Sequence, residues 1–418
     1  MLIVKANPLS GLEGALKMTS QRMLILGDPA LQFPVMPRER YPILAVRLPP
    51  STARGPATEW LKGEDTTTTS FSYVDRQTGT SRKVHLNEPH RVLRGAALDQ
   101  PFADRVRAEL GGCRDEIRYW YTPVAMVHQE TSSGETVIYA CSRIRQSGAI
   151  FGRVAVNAIE RSDSFDVILG KVGHHLAEWQ HVTANESGQT RRYDEDTEVE
   201  AKLTFADLVS PSRLAARFAE MVHMRQLDGF IPDVGNELQR WTYEQETFEI
   251  SSPRPRIGYL AFMKSADGTY VIKEKNFERD ALRRREVFSV GVELSGDGFD
   301  GYIRREAPEL VVRRLPGFRR SRFDVNVESA VTGHFFGIEI DEVVVPTTGH
   351  VLQQLEVEYH KSRICEGVDP RSIESELFRL VEIVRGHLAS WGIHQSLGYY
   401  SKLTFLKQEA DSIERADI

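Results

Sequence analysis

Charged residues that alternate along predicted strands limit most strongly what this chain can fold into. In TEVEAKLTF, residues 197–205, the charged side chains Glu198, Glu200 and Lys202 alternate with apolar ones. Because successive side chains of a β-strand point to opposite faces, these three charges share one face of the strand. The alternation therefore predicts a strand with one apolar face and one charged face.

The sign of these charges is sorted from strand to strand. Acidic pairs are Glu339 with Asp341 and Glu356 with Glu358, whereas basic pairs are Lys273 with Lys275 and Arg320 with Arg322. A plain sheet with one solvated face is one interpretation, but such faces normally mix signs because like charges repel across strands. A closed barrel is the other interpretation, since carboxylates on one side of its interior would hold Mg²⁺ or Mn²⁺ while the cations hold phosphate oxygens.

The length and the distribution of polar residues predict two domains. At 418 residues the chain exceeds the usual size of one domain. The polar segment TANESGQTRRYDEDTE separates two regions with strand and helix patterns. We predict a β-rich domain of unknown role over 1–182, a linker over 183–196, a second domain over 197–408 and a solvated tail over 409–418.

The predicted elements indicate an α+β fold class. Alternating runs predict several strands in the first domain, including one near residue 116, together with two helices. After the linker, a strand precedes a helix that begins at Ser210 and Pro211, and further strands lead to a helix over 370–387. The segment SGDGFDG, 295–301, is predicted to be a hairpin turn. This order is typical of an antiparallel β-protein with helices on its outside.

Composition argues against several classes of protein. A net charge of −6 argues against non-specific nucleic-acid binding. No apolar run approaches the length that spans a bilayer and no secretory signal is recognised, so we expect a cytoplasmic protein without a membrane partner. Three widely separated cysteines indicate neither a disulfide framework nor a zinc site. Assembly into a homodimer is left open.

The charged strands resemble the motifs of the CYTH, or triphosphate tunnel metalloenzyme, superfamily. EVEAK, 198–202, resembles the ExExK opening of that family. Further along, VIKEK resembles its basic strand, FRRSRF its Arg-rich strand, GIEIDEVVV its acidic strand and LEVEYHKS its second ExE pair. SLGYYSKLTFL resembles its closing helix, which carries a Ser-Lys pair. The resemblance covers about 210 residues, and the first half of the chain resembles no family that we can name.

The resemblance implies an eight-stranded antiparallel tunnel that binds a small phosphorylated substrate. Mg²⁺ or Mn²⁺ would be coordinated by Glu198, Glu200, Glu356 and Glu358. The substrate phosphates would be bound by Lys202, Lys273, Lys275, Arg320, Arg322 and Lys402. Lys202, Glu339 and Asp341 would act in catalysis, with a carboxylate orienting the attacking water.

One strand departs from the family pattern. Family members present an Arg-x-Arg strand, whereas GYLAFM, 258–263, is apolar on both faces, and Arg254 and Arg256 precede it. Fewer phosphate-binding groups would fit a shorter or differently shaped ligand, such as a diphosphate with an apolar tail.

Four functions are compatible with this sequence. The simplest is a metal-dependent hydrolase that releases phosphate from inorganic triphosphate, thiamine triphosphate or a nucleotide. The alternatives are pyrophosphate elimination of the adenylate cyclase type, ionisation of a prenyl diphosphate, and binding of a phosphorylated ligand without turnover. The sequence does not separate them.

Overall fold

The computed structural model divides into two compact units, Met1–Gln189 and Thr190–Ile418. The described residues are 21–27, 43–50, 57–75, 80–94, 97–110, 121–130, 133–145, 148–160, 162–178, 190–193, 195–233, 238–364 and 367–416. Residues 183–189 and 194 of the predicted linker lie outside them, as do residues 116–120 of the strand predicted near 116.

The first unit contains an antiparallel sheet of eight strands. The strands of this unit are β1 (Gln21–Gly27), β2 (Ile43–Leu48), β3 (Thr58–Lys62), β4 (Thr67–Asp75), β5 (Thr80–Arg91), β6 (Leu93–Arg94), β7 (Ala97–Leu98), β8 (Thr122–Gln129), β9 (Thr136–Arg145) and β10 (Gly148–Val156). The large sheet has the order β3-β10-β9-β8-β1-β2-β4-β5, and β6 pairs with β7. The β-rich character predicted for this half is therefore confirmed.

Each face of the large sheet packs against a helix, although much of β5 is exposed. Helix α1 (Gln100–Glu109) packs Phe102 into the core that contains Leu24. Helix α2 (Phe165–Glu178) packs Leu176 into a second core that contains Ile25. Neighbouring residues of β1 thus point into different cores, as the period of a strand requires.

The second unit contains twelve strands in one sheet. They are β11 (Thr190–Arg191), β12 (Thr197–Phe205), β13 (Phe230–Pro232), β14 (Gln239–Ser252), β15 (Gly258–Lys264), β16 (Tyr270–Asn276), β17 (Arg283–Val292), β18 (Val311–Arg314), β19 (Phe318–Ser329), β20 (His334–Val344), β21 (Val351–Arg363) and β22 (Gln395–Gly398).

Eight of these strands close into a barrel. Their order is β12-β21-β20-β19-β14-β15-β16-β17, and β17 pairs back with β12. Every pair in this ring is antiparallel. The predicted α+β class with a closed eight-stranded antiparallel barrel is confirmed. Closure also explains the two-faced strands, because apolar Val199 and Leu203 join an outer core while Glu198, Glu200 and Lys202 face inward.

Four helices flank the barrel in the described part of this unit. They are α3 (Pro211–His223), α4 (Gly298–Glu306), α5 (Ile373–Ser390) and α6 (Lys402–Ala416). Helices α3 and α5 pack Phe218 and Leu377 onto the outer core that contains Leu203. No described helix of either unit is long and apolar enough to cross a membrane.

Three local predictions differ from the structure. Strand β11 lies inside the predicted linker, where it pairs with β21. The hairpin turn predicted at 295–301 was wrong, because helix α4 begins at Gly298. That helix forms because Ile303, together with Phe299, packs against apolar residues of β14 to β16. Helix α6 continues through most of the predicted tail, and Glu409 and Ala410 are buried there.

Candidate active site

The barrel encloses a charged cavity of about 350 Å³. Among the described residues, its charged lining consists of eight basic and six acidic side chains. The basic ones are Arg192, Lys202, Lys273, Lys275, Arg284, Arg320, Arg322 and Lys402; the acidic ones are Glu198, Glu200, Glu286, Glu339, Glu356 and Glu358. With Asp341, which is buried against Arg320 and Arg322, the acidic side chains number seven, so opposite charges nearly balance inside the described part of the barrel.

The two ends of the cavity differ. Helix α6 packs across one end, where Leu403 and Leu406 contact inward-facing barrel residues such as Phe318. At the other end the inward-facing side chains of β17 become exposed, and Phe288 and Val290 are 51% and 75% exposed. The cavity thus opens to solvent at the end away from α6.

The structure brings the predicted site residues together. Eleven of the twelve line the cavity: Glu198, Glu200, Lys202, Lys273, Lys275, Arg320, Arg322, Glu339, Glu356, Glu358 and Lys402. The twelfth, Asp341, is fully buried behind the lining, where its carboxylate accepts hydrogen bonds from Arg320 and Arg322. Their roles in binding and catalysis stay predictions.

Three carboxylates form one group on adjoining strands. Single oxygens of Glu198, Glu200 and Glu358 lie within 4.8 Å of one another. The register places Glu200 directly opposite Glu358, an arrangement of like charges that destabilises a sheet unless a cation offsets it. Burial, followed by the neighbouring Glu200, raises the pKa of Glu198 to about 7. Burial, followed by Glu198, raises the pKa of Glu358 to about 8.

This group fits a hard divalent cation. Within the described residues, no lysine or arginine lies within ion-pair distance of Glu358, whereas Lys275 pairs with Glu198 and Glu200. Carboxylate oxygens are the donors that Mg²⁺ and Mn²⁺ prefer. Glu198, Glu200 and Glu358 therefore form the donor set that would hold such a cation.

Glu356 lies apart from that group, among cations. It pairs with Lys202, Lys402, Arg320 and Arg322. Although burial acts in the opposite direction, Lys202 and Lys402 hold the pKa of Glu356 well below its usual range. The register is the cause, because Glu356 lies opposite Lys202 and Glu358 lies opposite Glu200. Of the four predicted metal ligands, the structure thus separates Glu356 from the other three.

Two functional candidates on β17 were missed by the sequence reasoning. Arg284 is 3% exposed, and its guanidinium lies 3.1 Å from Glu200. Glu286 lines the cavity and pairs with Lys273. The only signal was their spacing of two residues, which the neighbouring Arg283 and Arg285 concealed.

Arg254 and Arg256 do not replace the missing Arg-x-Arg strand. Both lie in a short 3₁₀ turn, where Arg254 pairs with Glu278 and Arg256 pairs with Glu274. The inward positions of β15 that line the cavity are Tyr259 and Met263. Strand β15 therefore presents no arginine pair to the cavity, as its sequence indicated.

Comparisons with known proteins give matches among solved structures alone. A scan against models of protein families finds no match, and a search of curated proteins finds none. Among solved structures, the putative adenylyl cyclase HpAC1 from Hippeastrum, described as having a dominant triphosphatase activity, is 16% identical. The match covers 51% of this chain and 95% of that chain, with a TM-score of 0.27.

A second similar structure is the RNA triphosphatase Pct1 of S. pombe, solved with the Spt5 CTD. It is 12% identical, and the match covers 47% of this chain and 85% of that chain, with a TM-score of 0.23. The strand pairing itself decides the fold, because the ring of eight antiparallel strands encloses the sorted charges. The C-terminal unit is thus a closed eight-stranded antiparallel tunnel, the fold that the resemblance of its sequence motifs implied.

Proposed function

We propose that the C-terminal unit is a metal-dependent phosphohydrolase that releases phosphate from a compound with a triphosphate or diphosphate group. One observation carries this proposal. Within the cavity of the closed barrel, a group of carboxylates and a group of cations lie side by side, and Lys202 contacts Glu200 of one group and Glu356 of the other. Hydrolysis of a phosphoanhydride needs these two kinds of group around one phosphorus atom.

The cation group would bind the phosphate oxygens. Arg320 and Arg322 hold their guanidinium groups fixed through Asp341, and Lys402 reaches the same carboxylate at 2.8 Å. Guanidinium groups with a fixed plane bind phosphate oxygens through paired hydrogen bonds. Asp341 would therefore act by positioning these cations rather than by contacting the substrate.

The carboxylate group would hold the divalent cation beside the same phosphates. Glu198, Glu200 and Glu358 are its candidate ligands. A bound Mg²⁺ or Mn²⁺ supplies charge neutralisation at the phosphoryl oxygens. Glu339 lines the cavity near this group and would orient the attacking water.

The cavity geometry is consistent with a small substrate that enters phosphates first. Lys402 of α6 and Arg320 lie together at Glu356, whereas Phe288 and Met263 line the part that β17 leaves exposed, where Lys273 lies over the Phe288 ring. The phosphates of a bound substrate would lie inside, and any organic group attached to them would lie towards Phe288.

Product analysis tests the proposal. The full chain is incubated with Mg²⁺ or Mn²⁺ and inorganic triphosphate, ATP, thiamine triphosphate or a prenyl diphosphate, and released phosphate and pyrophosphate are quantified. We expect phosphate release that Glu198→Gln abolishes. The matched control is Glu244→Gln, a carboxylate of β14 whose side chain is 77% exposed outside the cavity.

Each other outcome rejects the phosphohydrolase. Pyrophosphate with a cyclic nucleotide would indicate an elimination of the cyclase type, and pyrophosphate from a prenyl diphosphate would indicate ionisation of that substrate. Binding of triphosphate without any product would indicate a ligand-binding module.

A further inference from the structure

A second cluster of donor atoms lies towards the open end of the cavity. It consists of Glu339 on β20 with Glu358 and His360 on β21, and one donor atom of each lies within 4.8 Å of the others. The side chain of His360 is 31% exposed, whereas that of Glu339 is only 5% exposed. We propose that this cluster binds a divalent transition-metal cation such as Co²⁺ or Zn²⁺, in addition to the cation held by the three carboxylates.

The donor set differs in chemistry from the carboxylate group. Imidazole nitrogen favours Co²⁺, Ni²⁺ and Zn²⁺, whereas Mg²⁺ selects oxygen ligands alone. His360 Nε2 lies 3.4 Å from Glu339 Oε1. Bonds of about 2.1 Å from one tetrahedral cation would place two ligands about 3.4 Å apart. The two atoms are therefore spaced as ligands of one cation.

A glycine makes room for this cluster. A Cβ at Gly337 would lie 2.8 Å from His360 Cε1 and 3.0 Å from Glu339 Oε1. Gly337 lies inside β20, where it pairs regularly with Asn326 and Glu358, so neither a turn nor a bulge at this position requires glycine. A glycine inside a strand weakens it and often marks the close approach of a ligand. The space beside Gly337 is filled by the His360 ring and the Glu339 carboxylate, which a side chain at this position would push apart.

The basic side chains around the cluster leave one oxygen of Glu339 and the carboxylate of Glu358 available as metal ligands. Arg322 pairs with the other oxygen of Glu339, so Oε1 remains on the side of His360. Glu358 forms no ion pair with a lysine or arginine among the described residues, and it is shared with the carboxylate group. The inference extends beyond the proposed hydrolysis, because it concerns a cation of different chemistry and is independent of turnover.

Calorimetric titration of the full chain with Co²⁺ or Mg²⁺, without any phosphate, tests the proposal. We expect the protein to bind one more Co²⁺ than Mg²⁺. His360→Ala should weaken the extra Co²⁺ site at least about tenfold and leave Mg²⁺ binding unchanged. The control His394→Ala, whose side chain is 82% exposed, should change neither.

Two further measurements keep the test decisive. Gly337→Ala should weaken the extra Co²⁺ site as well, although all three ligands are retained. In the unaltered protein, Co²⁺ but not Mg²⁺ should protect His360 from diethylpyrocarbonate, read by mass spectrometry. Equal Co²⁺ and Mg²⁺ stoichiometry, or Co²⁺ binding that His360→Ala leaves intact, would overturn the proposal. Since no substrate is present, failure here leaves the proposed hydrolase standing, and absent hydrolysis leaves this site standing.

Discussion

Replacing Asp324 with asparagine is expected to stabilise the C-terminal unit at pH 8 and to change its stability little at pH 4. Burial raises the pKa of Asp324 to about 6 from 3.8, although the indole N–H of Trp241 acts in the opposite direction. The folded protein therefore binds this proton more tightly than the unfolded chain does. Consequently, the free energy of unfolding falls as the pH rises from about 4 to about 6.

The size of the effect follows from the two pKa values. A rise from 3.8 to about 6 corresponds to about 3 kcal/mol, at about 1.4 kcal/mol per pKa unit. Well above pH 6 the buried carboxylate is ionised and destabilises the fold in full. Replacing it with asparagine should therefore raise the free energy of unfolding at pH 8 by close to this value. Asparagine does not ionise, and its side-chain oxygen can still accept the hydrogen bond that Trp241 donates at 2.6 Å.

Hydrogen exchange in increasing urea measures the effect within the full chain. Peptides from β19 and β20 are followed at pH 4, 6 and 8, in the unaltered protein, in Asp324→Asn and in the control Asp207→Asn, whose side chain is 83% exposed. The gain in unfolding free energy should grow with pH for Asp324→Asn alone. A loss of stability at pH 8 would refute the reasoning, because it would show that the ionised carboxylate stabilises the fold through Trp241 or through Arg322, whose guanidinium lies 3.9 Å from it.

Three further variants probe the barrel. Glu356→Gln should lower the free energy of unfolding by about 3–5 kcal/mol in thermal or urea unfolding, because the buried carboxylate pairs with four cations. Lys402→Ala should weaken calorimetric binding of inorganic triphosphate about tenfold, whereas Lys407→Ala, which pairs outside the cavity with Glu249, should not. Gly258→Ala should cost at least about 2 kcal/mol, because φ is +147° and its Cβ would lie 2.0 Å from a carbonyl oxygen. A Gly258→Ala protein as stable as the parent would contradict that contact.

The barrel was predictable because alternation along a strand assigns side chains to faces before any pairing is known. Glu198 and Lys202 lie on one face of β12, so Val199 and Leu203 must lie on the opposite face. Arg284 could not be assigned in the same way, since three consecutive arginines offer two choices for the inward face. The register decides, because Glu198 pairs with Arg284.

The separation of Glu356 from the other three carboxylates could not be predicted for a similar reason. Glu356 and Glu358 share a strand face, so their alternation is the same. Their neighbours on the adjoining strands differ, because Glu356 lies opposite Lys202 and Glu339 whereas Glu358 lies opposite Glu200 and Gly337. Such long-range register is absent from local sequence patterns. The first unit offered alternation but no sorted charges, so its fold class was predictable and its role was not.

Helix α6 has a consequence for the order of events at the site. It packs across one end of the barrel, where Leu403 and Leu406 join the same apolar core as Phe318. In the hydrolase proposed above, substrate and product would therefore share the opposite opening, and product would leave before the next substrate enters. A long linear polyphosphate would then be shortened only from a terminus.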